Sequence, residues 1–152
     1  MKFRTGFVSN SSSSSFLIGI AIVENIAKCM KYIQDNEIDK VNVRTYGEIK
    51  EDTSYDAFEV SGDKVIVDSF NSTEVSVSTK GLKDSDYILT YVFFGNEGDD
   101  HFLTDNKWME YEIGRDFFEQ AQQKVMAMFS NIEEAGLEKD QTDWTYGAAR
   151  NG

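Results

Sequence analysis

Five consecutive serines, Ser11 to Ser15, end the segment Gly6-Phe-Val-Ser-Asn-Ser-Ser-Ser-Ser-Ser-Phe16. Ser9, Asn10, Ser11, Ser12, Ser13, Ser14 and Ser15 supply a dense series of polar side chains and backbone N–H groups, which would cradle an anion if the backbone curled into a nest. The segment is not a P-loop, because it lacks the second glycine and the lysine that reaches the outer phosphates. No Gly-x-Ser-x-Gly elbow marks any of these serines as a nucleophile. Serine runs are commonly compositional and bond locally through their hydroxyls, so a strand-leading segment is the expectation and anion binding the alternative.

A second group is Gly95-Asn-Glu-Gly-Asp-Asp-His101, with Glu97, Asp99, Asp100 and the single histidine of the chain in one loop. Carboxylates with an imidazole are the donor set for a divalent cation, and also for an acid–base pair. The calcium-loop pattern Asp-x-Asp-x-Asp-Gly is absent, and loops gather Gly, Asp and Asn for turn geometry alone. A third group is Trp144, Tyr146 and Arg150, residue types enriched at the centres of protein interfaces. The competing role for the two rings is packing on their own domain, which is equally favourable.

Lys2-Phe-Arg-Thr-Gly-Phe-Val-Ser-Asn-Ser-Ser-Ser-Ser-Ser-Phe16 resembles the N-terminal signature of small, largely uncharacterised proteins of bacteriophages and bacteria. The closing Tyr146-Gly-Ala-Ala-Arg-Asn-Gly152 is similar to the same pattern over a shorter stretch. The resemblance implies a prokaryotic or phage origin and an intracellular or virion setting. It brings no reaction, cofactor or catalytic residue.

The chain has 152 residues, 27 acidic against 15 basic, and a formal net charge of −12. That balance repels polyanions, and the basic residues are spread from Lys2 to Arg150 without the stripe that phosphate-backbone binding needs. Nucleic acid is not an expected partner. The acidic positions form no ordered row of the kind that would imitate DNA phosphates, so solubility is the ordinary role of the charge. The single cysteine, Cys29, can form no internal disulfide and reads as a small core residue. The apolar run Phe16 to Val23 is far shorter than the ~20 residues of a membrane-spanning helix, and no small-x-small cleavage pattern follows it. Residence in the cytoplasm is expected, and assembly into a virion would leave the same composition.

These groups need elements to position them. Phe16-Leu-Ile-Gly-Ile-Ala-Ile-Val23 suits a central strand covered on both faces. Residues 24–36 place Ile26, Met30 and Ile33 at helical spacing. Strands are expected over 41–46, over 58–60 and 64–70 as a hairpin, and over 74–79, where Val75 and Val77 face inward near an edge. Tyr87-Ile-Leu-Thr-Tyr-Val-Phe-Phe94 reads as a mid-sheet strand. Phe117, Ala121, Val125, Met128 and Ile132, widened by Phe118 and Phe129, predict one long helix over 114–135 with Gly136 as its C-cap.

The expected fold is therefore α+β: residues 1–137 as one domain, with a mixed sheet of about five or six strands, the long C-terminal helix on one face and the shorter helix beside it. Residues 138–152 read as a polar and aromatic tail that docks on the domain. The expected function is that of a non-catalytic, phage-type accessory protein binding a host or phage protein. One alternative is a small enzyme or a nucleotide- or phosphate-binding protein. In it the Ser11–Ser15 loop holds a phosphate, while His101 with Asp99 or Asp100 acts as base or metal ligand. Another is a virion-associated structural protein. No cofactor is called for, a divalent cation at the acidic loop being the one the residues would fit.

Overall fold

Ser15 to Val23 are buried without a break, so the first strand has no solvent face and must be covered on both sides. The computed structural model describes residues 13–52, 58–68, 73–96 and 120–150, with 13, 14, 94–96 and 148–150 described by their backbone. In chain order the elements are β1 (Ser13–Val23), α1 (Ile26–Asp35), β2 (Asn42–Thr45), α2 (Tyr46–Glu51), β3 (Phe58–Ser61), β4 (Lys64–Asp68), β5 (Glu74–Ser78), β6 (Tyr87–Asn96), α3 (Gln120–Ser130) and β7 (Leu137–Arg150). The strands form a four-stranded sheet of order β2-β6-β1-β7 and a three-stranded sheet of order β3-β4-β5. Every ladder in both is antiparallel.

Alternation along β1 sorts its side chains into two cores. Leu17, Ala21 and Val23 join Leu89 and Tyr91 of β6, Cys29 of α1 and Val125, Met128 and Phe129 of α3 on the helix side. Phe16, Ile18, Ile20 and Ile22 join Ile88 of β6, Ile49 of α2, Val65, Val67, Val75 and Val77 on the side of the smaller sheet. The result is three layers: α1 and α3, then the larger sheet, then the smaller sheet, with α2 packing into the core between the two sheets. The β-branched run that marked β1 as central is explained by this double burial.

Two expectations need correction. The α+β fold with a single mixed sheet is replaced by a β-dominated fold of seven strands in two antiparallel sheets among the described residues. The long C-terminal helix is replaced by α3, 11 residues from Gln120 to Ser130, while residues 114–119 lie outside the described residues. Its C-terminal end is drawn by polar side chains. Ser130 Oγ donates to the Met126 carbonyl and Asn131 Nδ2 to the Ala127 carbonyl, both at 2.9 Å; the Ala127 carbonyl is the one that the Asn131 N–H would bond in a continuing helix, and that N–H goes instead to the Met128 carbonyl. The chain then turns through Asn131 to Gly136, with the Ala135 N–H bonded to the Asn131 carbonyl. Gly136 is thus not the cap of α3. It sits at φ 70°, and a Cβ there would lie 2.6 Å from the Asn25 carbonyl, while its own carbonyl accepts the Glu24 and Asn25 N–H groups ahead of α1.

A smaller correction concerns α1. Met30 is 47% exposed and Cys29 fully buried, so the inward stripe runs through Ile26, Cys29 and Ile33. The Asn25 side chain accepts the Lys28 N–H and starts this helix. Thr45 and Glu48 form a reciprocal capping box that starts α2. Among the described residues no helix is long and apolar enough to cross a membrane.

Candidate functional site

The register of β1 decides where the three chemistry-bearing groups lie. Ser15 stands opposite Gly95 on one side and Ala148 on the other, Ser14 opposite Asn96 and Ala149, and Ser13 opposite Arg150. Ser13, Ser14 and Ser15 are therefore extended backbone in a central strand, and Ser15 is 3% exposed. A nest requires alternating helical conformations, which this stretch does not have. Ser9, Asn10, Ser11 and Ser12 lie outside the described residues, as do Glu97, Asp99, Asp100 and His101.

What the register does bring together is the end of the larger sheet at which these groups enter and leave it. Partners across an antiparallel ladder sit about 4.5–5.5 Å apart at their Cα atoms. The backbone of Ser13 and Ser14, of Gly95 and Asn96, and of Ala149 and Arg150 accordingly shares one end of three adjacent strands. Chain order then starts the acidic loop and the rest of the serine run from neighbouring positions.

Trp144 and Tyr146 lie two residues apart on β7 and so share one face of it, the helix side. Trp144 stands opposite Gly19, and Tyr146 opposite Leu17. The Phe129 ring of α3 covers Gly19 so closely that a Cβ there would come within 2.4 Å of it. Glycine at this position is what lets α3 sit down on the sheet. Phe129 stacks on Trp144 at 6.2 Å between centroids and 14° between planes, and Trp144 stacks on Tyr146 at 6.0 Å and 24°. The spacing fits offset aromatic pairs. The row begins at a ring that is 1% exposed and ends at Tyr146, 37% exposed, at the serine end of the sheet. Trp144 is partly buried and packs against the helix-side core, while Tyr146 is the more exposed of the two rings. Arg150 joins the group by its backbone position opposite Ser13.

One polar pair is buried beside this row. Gln122 Nε2 of α3 donates to the Tyr91 hydroxyl of β6 at 3.3 Å, and Gln122 Oε1 is buried without a hydrogen-bond partner. Burial pushes the Tyr91 hydroxyl above its ordinary pKa, with the Gln122 bond acting in the opposite direction and the Asp39 charge adding to the rise. Elsewhere, an open hollow of about 290 Å³ is lined by Lys28, Lys31, Tyr32, Asp35, Asn36 and Glu134, near the turn that precedes β7. Its Lys31 and Asp35 bond each other at 2.6 Å. Among the described residues no group of three or more His, Cys, Asp or Glu side chains is arranged to hold a metal ion.

Sequence reasoning missed Phe129, Gln122 and Tyr91 as neighbours of the C-terminal aromatics. The pairing of Trp144 with Tyr146 was readable from their i, i+2 spacing once 137–150 is taken as a strand. The contact with Phe129 depends on which strand faces α3, which no local pattern encodes. Comparison with protein-family models, with curated proteins and with solved structures returns no match, so the reading of this site rests on the residues themselves.

Proposed function

We propose that the protein is a non-catalytic interaction protein that binds a protein partner at the serine end of its larger sheet, with Tyr146 as the leading contact. The observation that carries this reading is the Phe129–Trp144–Tyr146 row: two rings anchored in the core hold a third, partly exposed ring in a fixed orientation. A pre-oriented aromatic side chain loses little conformational freedom on binding, which is why such residues lead interfaces. The N-terminal signature is in keeping with an accessory protein of phage or bacterial origin acting in the cytoplasm.

The test is capture of partners from a bacterial lysate by immobilised wild type, by Tyr146→Ala with Arg150→Ala, and by a Val60→Ala control on the other sheet. A partner retained by wild type and the control but lost by the double variant supports the reading. An identical partner set on all three removes it.

A second reading, phosphate or another small anion held at the same end, is favoured by the adjacency of Ser14 to Asn96 and of Ser13 to Arg150. Titration with inorganic phosphate, followed by amide chemical shifts, separates the two. Saturable shifts at Ser13 to Ser15 and Asn96 support anion binding. Their absence at millimolar phosphate leaves the protein interface alone.

A further inference from the structure

An outermost strand presents unpaired donors and acceptors, and its edge is blunted by shortness, charge, a bulge or a cover. β2 is four residues carrying Arg44 and runs directly into α2, and β3 is four residues carrying Glu59. The outer edge of β5 is covered by β7, where the Ser76 N–H donates to Asp143 Oδ2 at 3.2 Å and the Ser78 N–H to Gln141 Oε1 at 2.9 Å. β7 is blunted only over its first part. Its ladder with β1 jumps from Ala21 and Thr142 to Val23 and Leu137, so residues 138–141 bulge opposite Ile22 alone, and the Thr142 hydroxyl closes the bulge on the Glu138 carbonyl at 2.8 Å. The two bonds to β5 step in opposite directions along the strands, and carried one step further they bring β5 to its end at Glu74, beside Thr145. From Tyr146 to Arg150 β7 continues its ladder with β1, and among the described residues no strand pairs with its other edge.

This stretch, Tyr146-Gly-Ala-Ala-Arg150, has no proline and no charge before its last residue, so its composition does not oppose a further strand. Where β5 stops, charge of one sign is in excess. Asp68 and Glu74 stand directly opposite each other across β4 and β5, a like-charge pair that costs stability, and Asp143 lies two residues before Thr145 on β7. None of the three has a basic partner among the described residues. A cation brought to this corner relieves the repulsion. On the helix face of the same stretch, Tyr146 is the 37% exposed end of the stacked row.

We infer that the partner of the serine end is engaged by strand addition: an extended, basic segment of another protein pairs with the outer edge of β7 over Tyr146 to Arg150. An apolar side chain of that segment lies against the Tyr146 ring, and its Lys or Arg residues meet Asp68, Glu74 and Asp143. Backbone pairing supplies the affinity and alternate side chains the specificity, while the acidic corner steers the approach. This rests on the interaction reading above and adds the class of partner to it.

The experiment titrates the protein in moderate salt with a short peptide of alternating lysine and valine and follows its amide signals. The expected result is saturable shifts and slowed amide exchange over Tyr146 to Arg150. Binding should weaken about tenfold in Tyr146→Ala and again in Asp68→Asn with Glu74→Gln, and a glutamate–valine peptide should not bind. Methylating every backbone nitrogen of the lysine–valine peptide keeps its charge and removes its strand donors, and should abolish binding. A methylated peptide that binds as well as its parent means charge attraction alone and overturns the inference, as do shifts confined to other parts of the protein or no binding at all. The interaction reading is decided separately by lysate capture: a partner lost with Tyr146 and Arg150, in a protein that ignores the peptide, keeps that reading and removes strand addition.

Discussion

On the helix side of β1, Leu17, Gly19 and Ala21 meet aromatic rings and a buried amide, whereas on the other side Phe16, Ile18, Ile20 and Ile22 meet mainly aliphatic side chains. The helix side depends on particular fits: Phe129 against Gly19, Trp144 against Phe129, Gln122 against Tyr91. The sheet side is filled mainly by Val65, Val67, Val75, Val77 and Ile88, with one ring-on-glycine fit, Phe16 against Gly147, near the serine end, and its polar bonds lie at the margins. At one margin Arg44 of β2 bonds Asp52 at 2.6 Å and lies 5.1 Å from the Phe58 ring centroid; at the other, Asp143 and Gln141 close the seam with β5. An aliphatic layer tolerates exchange of similar volumes, while a ring seated on a glycine does not. The helix side, which has more of these specific fits, is also the one that carries an aromatic row to the surface.

The largest test of that contrast is Phe129→Ala, which removes a ring at 1% exposure and should cost about 3–5 kcal/mol, against about 0.5–1.5 kcal/mol for Ile20→Val across the strand. Gly19→Ala should also destabilise, because the new methyl overlaps the ring. Its cost should fall sharply in the Phe129→Ala background, since neighbours that share a contact do not add. Urea unfolding of the four variants measures all of these. Equal costs on the two faces, or additive Gly19 and Phe129 effects, would break the comparison.

A middle-sized effect is expected at the buried polar pair. Tyr91→Phe leaves Gln122 Nε2 without its acceptor beside an Oε1 already unpartnered, at a cost of about 1–3 kcal/mol. Tyr91→Phe together with Gln122→Leu removes both partners and should unfold close to the wild-type urea midpoint. A double variant as unstable as the single one would mean that the amide is satisfied in solution by other groups, and the helix side would lose one of its specific fits.

The strands with strong local patterns were legible in the sequence, and the architecture they build was less so. β1 and β6 announced themselves because both faces are buried, so their apolar runs are continuous. β5 announced itself by strict alternation, with Val75 and Val77 inward. β7 did not, because Glu138 to Asp143 is polar on both faces. Asp143 and Gln141 face the neighbouring strand β5 and bond its amides, so the polar composition of an outer strand imitated that of a tail. The long helix was over-read because Ile132 continues the stripe of Val125, Met128 and Phe129, although Ser130 and Asn131 end the helix before it. Of the candidate site, the residue types of Trp144 and Tyr146 were visible. The meeting of the backbone of Ser13 and Ser14, of Gly95 and Asn96, and of Arg150 at one sheet end was not, because it depends on the register of β1 with two strands distant in sequence.

The smallest effect separates the two faces by pH. Cys29 is fully buried, and burial pushes its thiol from 9.0 up to about 11, while Tyr91 is raised in the same direction chiefly by burial. Both belong to the helix side, and none of the fully packed side chains of the sheet-side cluster titrates. Above pH 9 the unfolded chain releases the thiol proton while the folded chain keeps it, so the unfolded state binds fewer protons and stability falls as pH rises. The contribution is fully present below pH 9, and its loss from Cys29 should reach about 1 kcal/mol at pH 10. Cys29→Ala forfeits this dependence, so the stability gap between it and wild type should narrow by that amount between pH 8 and pH 10. Val67→Ala on the sheet side has no such proton to lose, and its gap should stay constant. Parallel curves for all three proteins would show that the thiol is reached by solvent, and the helix side would then be no more tightly closed than the row of rings along its edge.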